Sequence, residues 1–183
     1  MHGKLKLKGA SLTRLHVRVT SPARTAGRLV GGGFDVAASI GRSGLTALKR
    51  EGDGASPRGS FRILGGWFRA DHFRSRPLSG LKLVPLKPDF GWCDEASDRN
   101  YNRPVRRPYP ASHEAMWRDD GLYDIVLLLD INLRPRVKRG GSAIFFHLRR
   151  DDLGPTAGCV TVSRRDMLKL LPKLSSRSRI VIA

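Results

Sequence analysis

"FFHLRRDDLGPTAGCV", Phe145 to Val160, puts one histidine at the end of an apolar run and one cysteine behind a turn of small residues. In "SAIFFH", Ala143, Phe145 and His147 alternate with Ile144 and Phe146. That is the period of a strand, so His147 emerges at the strand's end on the face of Ala143 and Phe145. The "RRDDLGPT" loop contains Gly154 and Pro155, which let the chain turn back, and Cys159 follows His147 by twelve residues. Past the turn, "SRRDMLKLLPKL" reads as a helix, with Ser163 as N-cap, Asp166 three residues on, and an apolar stripe of Met167, Leu168, Leu170 and Leu171.

The chemistry of this stretch has three readings on the residues alone. In the first, Cys159 is a nucleophile and His147 its base, because a free thiol with a pKa of about 8.5 is mostly protonated at neutral pH and needs a proton acceptor. Gly158 lets the backbone approach a substrate closely, and its amide and that of Cys159 are then candidate oxyanion donors, one such donor being worth roughly 3 kcal/mol. In the second, both residues are structural, since free cysteine is among the most buried residue types. The third is a zinc site of Cys93, Cys159, His113 and His147, which no Cys-x-x-Cys or His-x-x-x-His pair supports. The two cysteines are too few for a disulfide framework, and one bond between them would consume the only plausible nucleophile.

Outward from this stretch the chain reads as short strands. "LTRLHVRV" alternates as a half-buried strand, and "FDVAASIG", after Gly31 to Gly33, reads as its partner. Residues 49–60 are a surface loop or a lip, and Phe61 and Ile63 resume strand alternation. "LKLVPLKP", 81–88, contains Pro85 and is expected at a sheet edge. Residues 89–110 show no period and read as a long ordered loop rich in aromatics. "SHEAMWRDD" reads as a short helix capped by Ser112, "LYDIVLLLDIN" as a central strand covered on both faces, and "RIVIA" as a last strand. Many short strands and two short helices predict a mainly β fold.

The chain of 183 residues, 40% hydrophobic, is expected to form one domain, 1–183, around one core. No apolar run is long enough to span a bilayer, and no secretory signal is readable in "MHGKLKLKGASLTRLHV". A formal charge of +18 favours a polyanionic partner, whether nucleic acid, anionic lipid or cell-wall polymer. Ten Lys or Arg lie within the first fifty residues, against the single acidic Asp35. No reading helix or aromatic RNA-binding motif accompanies them, so nucleic acid is not expected.

At His147 and Thr156-Ala157-Gly158-Cys159-Val160 the sequence resembles the L,D-transpeptidase catalytic domain, the YkuD-like family, whose signature is a histidine and then Ser/Thr-His-Gly-Cys. Ser56-Pro57-Arg58-Gly59-Ser60-Phe61 stands where the family has Thr-Pro-x-Gly-x-Phe before a strand, in the order the family requires. "GWCD", "YNRPV", "RPYPASHE" and "YDIVLLLD" are similar to recurrent segments of compact proteobacterial members. Ala157 departs from the signature's histidine, Thr161 stands where many members carry Arg or Asn, and the loop between His147 and Cys159 is short.

The resemblance implies a mixed β-sandwich with a few short helices, with the dyad in a groove. It implies an acyltransferase without cofactor or metal. Cys159 would form a thioester with a diaminopimelate of a peptidoglycan stem peptide, and an amine of a second stem would resolve it into a 3-3 or 1-3 cross-link. His147 would act as general base and acid and the Gly158 amide as oxyanion donor. Thr156, Trp92, Arg103, Tyr109 and His113 are the expected substrate contacts, and Cys93 is expected to be buried and inert. An L,D-carboxypeptidase or amidase would use the same dyad. A basic nucleic-acid or wall-binding module, with structural Cys and His, is the reading from another class. The place of action implied is the periplasm, with a cytoplasmic location left open by the unreadable signal.

Overall fold

The computed structural model describes residues 11–21, 24–150 and 152–183; Lys4, Lys6 and Lys8 of the basic front lie outside the described residues. In chain order the strands are β1 (Arg14–Arg18), β2 (Ala26–Gly31), β3 (Phe34–Ser39), β4 (Leu45–Thr46), β5 (Ser56–Pro57), β6 (Gly59–Phe68) and β7 (Leu83–Pro85). They continue as β8 (Phe90–Cys93), β9 (Arg103–Arg106), β10 (His113–Ala115), β11 (Ile125–Leu129), β12 (Phe145–Leu148), β13 (Val160–Val162) and β14 (Arg179–Ile182). Among the described residues one α-helix, α1 (Arg164–Leu170), precedes β14, and two single 3-10 turns span Ala70–His72 and Leu171–Lys173. The chain is mainly β, as expected.

The large mixed sheet runs β11-β12-β13-β3-β2-β1-β14-β6-β7, and β6 also pairs with β11. The first half of β6, Gly59–Arg62, takes β14 as its antiparallel partner, and the second half, Ile63–Phe68, takes β11. The ladder therefore returns on itself as a ring of eight strands. β7, containing Pro85, pairs with β6 alone and is an edge, where a missing N–H is tolerated.

Alternation decides what fills the ring. Along β11, Ile125, Leu127 and Leu129 join the main core while Val126 and Leu128 face a second cluster; along β12, Phe146 and Leu148 face the core and Phe145 the second cluster. Every strand of the ring contributes to the main core, including Leu15, Leu29, Ala38, Ile63, Val160 and Ile180, and Met167 and Leu170 of α1 join it. The second cluster, with Trp92, Met116, Tyr123, Phe145 and Cys159, lies between the outer face of β11 and β12 and a small sheet of order β10-β8-β9. Two-sided burial is why β11 and β12 read as nearly continuous apolar runs.

Several expectations hold. β11 is central, Ser163 caps α1 by accepting from the Asp166 amide at 3.1 Å, and β14 ends the chain. Others change. β1 pairs with β2 and with β14, and β3 reaches it only through β2. The stretch 89–110 is not a loop throughout: it supplies β8 and β9, whose ladder sets Trp92 opposite Pro104. "SHEAMWRDD" is not a helix; His113–Ala115 pairs with β8, and Met116 is fully buried, so cross-strand pairing and burial override the local helix signals. Leu168 leaves the apolar stripe and is 38% exposed.

Candidate active site

β12 and β13 run parallel, with Phe146 opposite Val160 and His147 opposite Thr161. Paired residues point to the same face, and Phe146 and Val160 point inward. Phe145, His147, Cys159 and Thr161 therefore all face outward, Cys159 one step diagonal to His147. A cavity of about 400 Å³ opens there, lined by Cys159, His147, Thr161, Tyr123 and Glu114 and, from the loop that follows β4, by Lys49, Glu51, Gly52 and Gly54. That loop is thus the rim of the groove.

The turn that carries the cysteine is held from several sides. Gly158 has φ +137, and a Cβ there would stand 2.9 Å from both the Ala55 carbonyl and Ile144 Cδ1, so glycine is required on both counts. The Ser56 hydroxyl, fully buried, donates to the Gly158 carbonyl at 2.7 Å and accepts from the Gly41 amide at 2.9 Å. Thr156 Oγ1 donates to the Cys159 carbonyl at 2.7 Å and accepts from the Gly158 amide at 3.0 Å. The Gly158 N–H, expected as an oxyanion donor, already has a partner in this structure. Thr156 lines the cavity, but its hydroxyl serves the turn.

The Cys159 thiol donates to the Ala143 carbonyl and accepts from the Phe145 amide, each at 3.2 Å. Among the described residues its hydrogen bonds go to these two groups and not to His147. Ala143 lies in the left-handed region at φ 51, and its amide donates to Asn102 Oδ1 at 3.2 Å. The same oxygen accepts from Trp92 Nε1 at 2.8 Å, and the Asn102 amide group donates to the Ile131 and Asn132 carbonyls at 3.2 and 2.9 Å. Asn102 thus ties the small sheet to the backbone that touches the thiol.

Burial dominates the electrostatics. His147 is 5% exposed and Cys159 7%. Burial pushes the His147 pKa down to about 4, against the Leu148 and Leu122 carbonyls, which favour the charged ring. Its Nδ1 lies 2.8 Å from the Leu148 carbonyl, which can only accept, so in the neutral ring Nδ1 carries the proton and Nε2 is the unprotonated, basic nitrogen. Burial pushes the Cys159 thiol up to about 12; the Glu114 charge acts in the same direction, and the Phe145 amide and Lys49 oppose it. At rest both groups are neutral. Arg42, Lys49, Arg118, Arg149 and Arg150 line the cavity against Glu51, Asp94 and Glu114, so its wall is net basic.

The other expected contacts lie elsewhere. Trp92 is 2% exposed, its ring edge-on to Phe145 at 5.2 Å; it is a core residue beneath the site, because its bulk fills the space between the sheets. Tyr109 is occupied by Asn100 and Asp98, each at 2.9 Å. His113 Nδ1 lies 2.8 Å from the Ala111 carbonyl, Arg103 is exposed on β9, and neither they nor Tyr109 line the cavity. Cys93 is fully buried and free. The four residues of the zinc reading do not converge: among the described residues no three His, Cys, Asp or Glu side chains come close enough to hold a metal ion. Glu114, Tyr123 and Lys49 were not legible as site residues, since Glu114 reads as a first-turn helix residue and Tyr123 as the start of a core strand.

No described helix is long and apolar enough to cross a membrane. Comparison with curated proteins and with solved structures gives no significant match. The model of the L,D-transpeptidase catalytic domain, by contrast, matches residues 15–182, from β1 through β14. With a groove-lining cysteine and histidine in the order the sequence signature requires, the chain belongs to the L,D-transpeptidase catalytic-domain family.

Proposed function

We propose that this chain is a peptidoglycan L,D-transpeptidase in which Cys159 is the nucleophile and His147 the general base and acid. The observation that carries the reading is the shared outward face of the parallel β12–β13 ladder, on which both side chains open into one basic cavity. His147 Nε2 is the unprotonated nitrogen that a base needs, a tautomer fixed by the Nδ1–H bond to the Leu148 carbonyl. The thiol leaves the Ala143 carbonyl, turns toward Nε2 and gives up its proton as sulfur attacks the diaminopimelate carbonyl of a stem peptide. His147 returns that proton to the departing D-amino acid, leaving a thioester. An amine of a second stem then displaces the sulfur, forming a 3-3 or 1-3 link. The amides of the Gly158–Cys159 turn face the developing oxyanion once the Thr156 hydroxyl releases Gly158.

Keeping both groups neutral until substrate arrives fits a buried site, where a resting thiolate–imidazolium pair would lose its hydration. Stem peptides carry carboxylates, and the basic wall suits them; the overall charge of +18 suits an anionic wall polymer in the periplasm equally.

The test is covalent. Wild-type protein incubated with a carbapenem is expected to gain one adduct by intact mass, and Cys159→Ala none. Digestion of stem-peptide sacculi then separates transfer from carboxypeptidase hydrolysis and identifies the link. Absence of any adduct on the wild type removes the dyad reading.

A further inference from the structure

Glu114 stands in the wall shared with Cys159 and His147, yet the acylation step does not use it. The Tyr123 hydroxyl donates to Glu114 Oε1 at 2.5 Å, and the Tyr123 ring stands edge-on to the His147 imidazole with centroids 4.8 Å apart. Glutamate, tyrosine and histidine thus form one packed row along the cavity. Arg118 reaches Oε1 only at 3.8 Å and is turned to Asp120. Among the described residues Oε2 has no hydrogen-bond partner, and the side chain keeps 27% of its exposure.

Burial raises the Glu114 carboxyl above the usual carboxylate range, and its charge opposes ionisation of Cys159. A carboxylate here works against the half-reaction in which charge develops on sulfur. The other half-reaction has the opposite need. An amine arrives at neutral pH as an ammonium and cannot attack before losing a proton. Two further residues of the lining, Thr161 and Asp94, each carry a polar atom, Oγ1 and Oδ1, that is buried without a partner among the described residues; Thr161 is 1% exposed. A hydroxyl and carboxylate oxygens lacking partners suit a ligand that brings N–H donors.

We propose that Glu114 receives the amine of the acceptor: it pairs with the ammonium, takes one proton from it on Oε2, and so presents a neutral amine to the thioester. This rests on the reading of Cys159 as the acylated nucleophile. The amine lone pair forms the new C–N bond and the C–S bond breaks. The second amine proton passes through His147 Nε2 to the departing thiolate, which regenerates the thiol, and the proton on Glu114 passes to water.

The experiment compares wild type with Glu114→Gln in two half-reactions. Acylation by a carbapenem is followed by intact mass. Transfer is followed as the ratio of cross-linked to hydrolysed product, with a tetrapeptide stem as donor and a range of acceptor-stem concentrations. Glu114→Gln is expected to acylate faster than wild type, because a negative charge near sulfur is gone. Its transfer ratio falls by about tenfold or more and its acceptor KM rises. Glu114→Asp, which keeps a carboxylate, recovers part of the ratio. An unchanged ratio in Glu114→Gln overturns the proposal, as does acylation slowed as much as transfer. A wild type that forms no adduct removes the nucleophile reading itself, whereas an acylating wild type with an indifferent Glu114→Gln removes the role of Glu114 alone.

Discussion

The hydroxyl of Ser56 donates to the carbonyl of Gly158 over 2.7 Å, across 102 residues of sequence. This bond joins the "SPRGSF" segment to the "TAGC" turn, the two stretches that carry the family resemblance. It gives a physical reason for their joint presence: one braces the other from behind.

Ser56→Ala strands two buried backbone groups, the Gly158 carbonyl and the Gly41 amide. The expected loss is about 2 kcal/mol, read from the urea midpoint. Carbapenem acylation of Cys159 is expected to slow in the same variant while its hydrolysis products are unchanged in kind. A Ser56→Ala protein as stable as wild type contradicts the brace.

The Asn102 side chain makes four hydrogen bonds, to Trp92, Ala143, Ile131 and Asn132, from a left-handed backbone at φ 54. Asn102→Ala removes all four and puts alanine where asparagine is tolerated better. A destabilisation of about 3 kcal/mol is expected. Trp92 fluorescence should shift in the folded variant as its indole N–H loses its partner, which distinguishes this effect from a general loss of packing.

His147 gives folding a pH dependence whose sign follows from burial. Its pKa falls from 6.5 in the unfolded chain to about 4 in the folded one. Between those values the unfolded chain binds a proton that the folded protein does not. Its contribution to stability is therefore fully present above 6.5 and is lost as the pH falls toward 4, by an amount on the order of 3 kcal/mol. Chemical denaturation at pH 7 and pH 4.5 checks it, with His147→Gln expected to flatten this part of the profile. Acylation by wild type is expected to hold across neutral pH and fall as Nε2 is protonated near pH 4.

Local pattern was enough for much of this molecule. The alternation in Ile125–Leu129 and Phe145–Leu148, the Ser163 cap and the apolar close at Arg179–Ile182 are written in residues a few positions apart, each adding its own burial energy. The placement of His147 at a strand end and Cys159 behind a turn follows from the same local rules. What those rules could not supply are relations between distant segments. β10 exists because β8 offers it an open ladder edge, against the local helix signals of "SHEAMW". Trp92 is core rather than groove because the outer face of β12 needed covering. Ser56 behind Gly158 and Glu114 beside Tyr123 were likewise decided only when the ring closed, since a hydrogen bond between segments far apart in sequence leaves no period in either of them.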